Sequence, residues 1–239
     1  MNIVEALEAD TGTTCVVGAG GKKTTLFALA NRLERAIVTA TVRIPIFDPH
    51  VAAVSVTDDP VGDLEDAEDY PLGLVDERER EDRYRGYDLE TVDAIASTHD
   101  GPVLVKADGA RTREFKAPGD HEPQIPRGAD VVIPIASVHA VGKPLSEEFV
   151  HRPERVAEIT ELEVGETITP EAIGTVLSSV DGGLKDVPDE ATVVPLLNKI
   201  DDDGDEAVAR EIAEVVHDRA DVTRVVAARM VDAEVIDVV

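Results

Sequence analysis

The chain has 239 residues, with 50 Asp and Glu against 23 Lys and Arg, a formal net charge of −27. A field of that sign repels nucleic acid and anionic lipid, and no apolar run reaches the roughly twenty residues a membrane-spanning helix requires. The acidic start MNIVEALEAD lacks the layout of an export signal, so a cytoplasmic protein working away from nucleic acid and membranes is expected.

In chain order, a β-branched run at residues 15–17 leads through a glycine-rich stretch into a helical pattern in which Leu26, Leu29, Ala30 and Leu33 share one face. A second apolar run covers 36–42. Residues 44–100 are less regular: four prolines, an acidic run from Asp63 to Asp69 and the segment ERERED predict an irregular insertion after the second strand, made of loops with an antiparallel strand or hairpin, and then a short helix from Leu89 to Ser97. Further strand signals fall at 103–105, 131–135, 192–197 and 222–227. Helical patterns separate them, one with Ile173, Val176, Leu177 and Val180 after Thr169-Pro170, another with Val208, Ile212 and Val215. Short, nearly continuous apolar strands alternating with amphipathic helices predict an α/β fold, a mostly parallel sheet with helices on both faces, in one domain over residues 1–239. The lone Cys15 reads as a buried thiol. Carboxylates spread along the whole chain, with Arg outnumbering Lys, suit concentrated salt and a halophilic habitat.

The stretch VGAGGKKTT resembles a phosphate-binding loop. A glycine-rich turn from strand to helix presents unpaired N–H groups to an anion, and a lysine before a hydroxyl residue reaches the terminal phosphates while the hydroxyl binds magnesium. Gly18, Gly20 and Gly21 supply the permissive backbone, with Lys22 and Thr25 beside them, and Lys23 followed by Thr24 fits the lysine and metal roles. The loop is a variant, because no GxxxxGK[ST] pattern can be laid over it. Asp108, after the strand VLVKA, is the candidate second magnesium ligand. Asn198, Lys199 and Asp201 form NKxD after a late strand, a pattern that selects guanine, so Mg2+ with GTP, or else ATP, is the expected ligand set. Arg111, Arg113, Lys116 and His121 gather cations after Asp108, with Lys116 and His121 the best placed to act on a phosphate or an anionic second substrate. No CxxC or HxxxH spacing marks a metal site.

GAGGKKTTL, KADGAR, FKAPGDHEPQIP, VVIPIASVHAVGKPL, VHRPE and LLNKID, in that order, resemble the YqeC-type selenium-dependent molybdenum hydroxylase accessory proteins. The resemblance implies a P-loop NTPase-like nucleotide-binding fold and a helper role in maturing molybdenum hydroxylases that carry labile selenium, with a molybdenum hydroxylase or a cofactor-maturation protein as partner. It carries phosphate contacts onto Gly18, Gly20, Gly21, Lys23, Thr24 and Thr25, and the heart of the second motif onto Asp108. Two departures stand out: Lys106 replaces the usual glutamate of Glu-Ala-Asp-Gly, and Thr39 to Arg43 has fewer threonines than the family's run. The first bears on hydrolysis more than on binding. A small-molecule kinase and a non-catalytic, nucleotide-dependent switch or cofactor chaperone are the competing readings.

Overall fold

A computed structural model describes residues 1–239. The central sheet has ten strands, nine of them in one continuous order and the tenth, Thr192–Val193, beside one of these: β1 (Thr13–Gly18), β2 (Ile37–Ala40), β3 (Ala53–Val56), β4 (Leu72–Val75), β5 (Val103–Lys106), β6 (Val131–Ser137), β7 (Leu196–Asn198), β8 (Val226–Arg229) and β9 (Glu234–Val238). Their order is β9-β8-β7-β6-β1-β5-β2-β4-β3, and every neighbouring pair is parallel except β8 with β9. The helices are α1 (Ile3–Ala6), α2 (Lys22–Ala30), α3 (Pro60–Glu65), α4 (Leu89–Thr98), α5 (Pro153–Thr160), α6 (Pro170–Leu177) and α7 (Asp203–Arg219).

Alternation along the strands assigns the two faces. Val16, Ile133, Leu196 and Val226 pack with Ile3 and Leu7 of α1 and with Leu26 and Leu29 of α2. Their chain neighbours face the other way: Cys15, Val17 and Val132 meet Val92 and Ile95 of α4, and Leu197 and Ala227 meet Ile173 of α6 and Ile212 of α7. Strands buried on both faces need apolar residues at successive positions, which is why their sequences read as continuous runs rather than alternating ones. The mixed α/β architecture with a mostly parallel sheet is as expected from the sequence.

Several boundaries differ. The 192–197 run is broken at Pro195, which has no N–H to give a ladder; Thr192–Val193 pairs with the start of β6, and β7 then takes over alongside it. The run at 222–227 pairs only from Val226, and the run at 36–42 stops at Ala40. Val180 lies beyond the end of α6 and is exposed. Residues 44–100 are more ordered than their prolines suggest. The expected hairpin is present, Glu77–Arg80 against Arg83–Arg85 with Ile44–Pro45 alongside, but β3 and β4 from the same stretch extend the main sheet in parallel. No helix is long and apolar enough to cross a membrane.

Candidate functional site

Because the strands run parallel, their C-terminal ends lie along one sheet edge, where open α/β sheets place their ligands. Register brings five ends together. Lys106 on β5 lies beside Val16 on β1 and Ala40 on β2, Gly18 pairs with Ile135 of β6, and Ser137 pairs with Asn198 of β7. The glycine loop leaves β1 at this edge and enters α2.

The loop glycines answer to close packing. Gly20 and Gly21 hold φ of 90° and 149°. A Cβ on Gly20 would lie 2.6 Å from the Ser137 backbone nitrogen, and one on Gly21 would strike the Asn198 amide. Much of the loop's hydrogen-bonding capacity is used internally: Gly18 N–H donates to Asp108 Oδ2 (2.8 Å), Ala19 N–H to the Ile135 carbonyl (2.9 Å) and Gly20 N–H to the Arg113 carbonyl (3.0 Å). The open donors lie one step further on. Gly21 is the N-cap of α2 and has no side chain to cap it, so the N–H groups of Lys22, Lys23 and Thr24 have no protein acceptor.

The two lysines divide differently from the expected register. Lys22 is buried; its Nζ donates to the Gly18 carbonyl and lies 2.8 Å from Asp108 Oδ1, with side chains 5% and 2% exposed. Lys23 is half-buried at the cleft and Thr24 is exposed, while Thr25 is buried with its hydroxyl bonded to the Gly21 carbonyl (3.2 Å). Lys22, placed beside the phosphate contacts while Lys23 was given the lysine role, is therefore the lysine tied to the end of β1 and to Asp108.

Asp108 sits between cations. Lys116 Nζ lies 2.8 Å from its Oδ2 and also reaches the Gly109 carbonyl (2.7 Å) and Glu122 (2.9 Å), which in turn accepts from Arg152 (2.7 Å). Burial by itself would raise the Asp108 carboxyl, but Lys22 and Lys116 outweigh it and hold its pKa at about 2. Each Asp108 oxygen thus already faces an ammonium group. A magnesium ion at the same oxygens would have to displace one of them, so the pairing of Asp108 with Thr24 as metal ligands does not fit this arrangement. Lys116, expected at the reacting phosphate, is instead a buried clamp on Asp108 and Glu122. Lys106 does not pair with the Asp108 carboxylate; its Nζ donates to the main-chain carbonyls of Arg43 (2.8 Å) and Asp108 (2.7 Å). Burial and the neighbouring Lys22 push its pKa down to about 7.

In front of this network lies a cleft of about 450 Å³. Lys22, Lys23, Arg43, Arg83, Lys106, Arg111, Arg113 and Lys199 line it, eight of the chain's 23 Lys and Arg. Its one carboxylate, Glu114, accepts two 2.7 Å bonds from Lys199. In a chain of net charge −27 so many cations around one cleft create a local field that attracts anions against the field of the rest of the surface. Arg43 and Arg83 come from the border of the hairpin unit, a contribution that sequence spacing did not single out. Arg111, Thr112 and Lys199 hold left-handed backbone, φ 47°, 60° and 67°, and such conformations persist only where surrounding contacts impose them.

The NKID residues separate. Asn198 is buried, its Nδ2 donating to the Gly20 carbonyl (2.7 Å) and its Oδ1 accepting from Met230 N–H (3.0 Å), so it clamps the glycine loop to the end of β8. Lys199 lines the cleft. Asp201 is exposed beyond it, 3.4 Å from His139 Nε2. His121 lies apart, in a second depression with Arg152 and Arg155.

Comparison with known proteins agrees with the motifs. The family model described as YqeC protein matches residues 14–154. The uncharacterized protein YqeC of Escherichia coli (strain K12) is 30% identical over 194 residues, which cover 77% of this chain and 74% of the relative. No solved structure matches significantly. The matched span holds the glycine loop, Asp108 and the cationic segment after it, and the chain belongs to the YqeC family.

Proposed function

We propose that the cleft binds the phosphate chain of a purine nucleoside triphosphate, GTP in preference to ATP, as its magnesium complex, in a P-loop-like site. The observation that carries this reading is that eight Lys and Arg line the same cleft as the uncapped first turn of α2, in a strongly acidic chain. Backbone N–H groups and lysine or arginine heads together are what a polyphosphate requires. The exposed hydroxyl of Thr24 is the side chain offered to the nucleotide's ion, and Asp108 acts from behind by holding Lys22 in place. The resemblance of the chain's motifs to the selenium-dependent molybdenum hydroxylase accessory proteins extends this reading to a role in the maturation of such hydroxylases.

The base preference rests on Asp201, whose carboxylate is exposed two residues beyond Lys199. It can accept the N1–H and exocyclic amine of guanine, whereas adenine has no donor at N1. Losing a charge-assisted bond of this kind costs about 1.5–3 kcal/mol, roughly ten- to a hundredfold in affinity. In competition binding at fixed salt and magnesium, GTP is expected to outcompete ATP by that margin and Asp201→Ala to erase the preference while phosphate binding persists. Equal affinities in the wild type would make ATP the default ligand; no binding of either would sink the nucleotide reading.

One observation favours a nucleotide-dependent switch or cofactor chaperone over a fast hydrolase or kinase. The carboxylates at the site, Asp108 and Glu114, are both held by lysines, leaving no free base beside the phosphates. The cleft's charge also depends on Lys106. An amine with pKa near 7 is cationic below that value and neutral above it, so affinity for inorganic triphosphate should fall about tenfold between pH 6 and 8. Lys106→Met should flatten that dependence; a wild-type affinity that does not change with pH would contradict it.

A further inference from the structure

We propose that His139, Asp201 and Asp205 form a divalent-metal site at the rim of the cleft. His139 comes from the turn after β6, Asp201 from the end of the NKID loop, and Asp205 from the first turn of α7. Such a set is invisible as a spacing motif because residues more than sixty positions apart meet only through the pairing of β6 with β7. His139 Nε2 lies 3.4 Å from Asp201 Oδ2 and 3.3 Å from Asp205 Oδ2, and the three donor atoms fall within 4.8 Å of one another. With metal–ligand bonds of about 2.1 Å, the edge of a coordination tetrahedron is about 3.4 Å, so the histidine already stands at ligand–ligand distance from both carboxylates.

The surroundings preorganise the set. Asp205 Oδ2 accepts the Asp201 main-chain N–H (3.0 Å), and His139 N–H donates to Ser137 Oγ (3.2 Å), which fixes the turn that carries the imidazole. Asp202 takes no part, since its carboxylate caps α7 through Gly204 and Asp205 N–H. Neither Asp201 nor Asp205 has a Lys or Arg ion-pair partner; His139 is the one basic group that each meets. Two carboxylates and a neutral imidazole carry charge −2, and all three are accessible enough for an ion to enter and keep an open position for water or a ligand. One nitrogen and two oxygen donors suit a first-row ion such as Zn2+, Co2+ or Mn2+ better than Mg2+, which favours all-oxygen coordination.

This site is independent of the nucleotide reading, but the two meet at Asp201. Its carboxylate cannot hold the ion and pair both guanine donors at once, so the ion and the base compete for it. Asp201→Ala should remove both functions, and His139→Ala only the metal.

The test is Co2+ titration of the metal-stripped full chain in molar KCl without nucleotide, followed by the visible bands of tetrahedral Co2+ and their displacement by Zn2+. One Co2+ per chain is expected. His139→Ala and Asp205→Asn, on separate elements, should each weaken it by about 100-fold or more, at least the effect of losing an outer-shell partner, and His121→Ala should bind as wild type does. Absence of the bands in the wild type, or their persistence at unchanged affinity in folded His139→Ala or Asp205→Asn, would overturn the proposal.

Discussion

Lys22→Ala will lower the unfolding free energy by about 3 kcal/mol, whereas Lys23→Ala will change it by less than about 0.5 kcal/mol. The first substitution deletes a buried ammonium that faces Asp108 and the Gly18 carbonyl, leaving a buried carboxylate with Lys116 as its remaining cation. The second removes a half-buried side chain at the cleft. For a chain of this length, 3 kcal/mol corresponds to a fall of roughly 6–12 °C in Tm, which thermal unfolding in molar KCl resolves. Binding of GTP separates the pair in another way. Lys23→Ala should weaken it about ten- to a hundredfold with the fold intact, through the loss of one charge-assisted contact. Equal stability of the two variants would mean that the Lys22–Asp108 pair contributes nothing to the fold.

Asp108→Asn should cost more, about 3–5 kcal/mol, because it removes the one carboxylate between Lys22 and Lys116 while Lys106 crowds the same strand end. The pH dependence follows from the same residue. Its folded pKa of about 2 lies below the unfolded value of about 3.9, so its stabilisation is complete above about pH 4 and is lost as pH falls towards 2. The shift corresponds to about 2–3 kcal/mol, and the variant should lack that portion of the acid response. Inorganic triphosphate should raise the Tm of Asp108→Asn more than that of the wild type, since the variant carries uncompensated positive charge behind the cleft. If Asp108 were instead a dispensable metal ligand, the variant would unfold with the wild type and lose only its magnesium dependence.

Much of this protein is determined locally. The parallel sheet was legible because strands covered on both faces cannot alternate polar with apolar residues, and the runs at 15–17, 103–105 and 131–135 have no polar position to spare. The glycine loop was legible as well, since the turn from β1 into α2 demands positive φ at Gly18, Gly20 and Gly21 whatever it binds. The strands β3 and β4 were not: AVSV and LGLV are four residues each, set among prolines and acids, and only the pairing of β4 with β2 and of β3 with β4 selects the extended form. The roles of the two adjacent lysines were likewise beyond the sequence. Which of Lys22 and Lys23 turns inward depends on where α2 begins and on Asp108 arriving beside Gly18 from a strand ninety residues later, a register set by the whole sheet. Asn198 and Asp201 share one short motif but part company for the same reason. Asn198 ends a buried strand and is captured by the Gly20 carbonyl, whereas Asp201 lies past the sheet edge, where the turn after β6 and the start of α7 give it His139 and Asp205 as neighbours. Hydrophobic periodicity is read by each segment against its own burial, but the charges of this cleft acquire their partners only through long-range pairing, and that is decided by the tertiary structure.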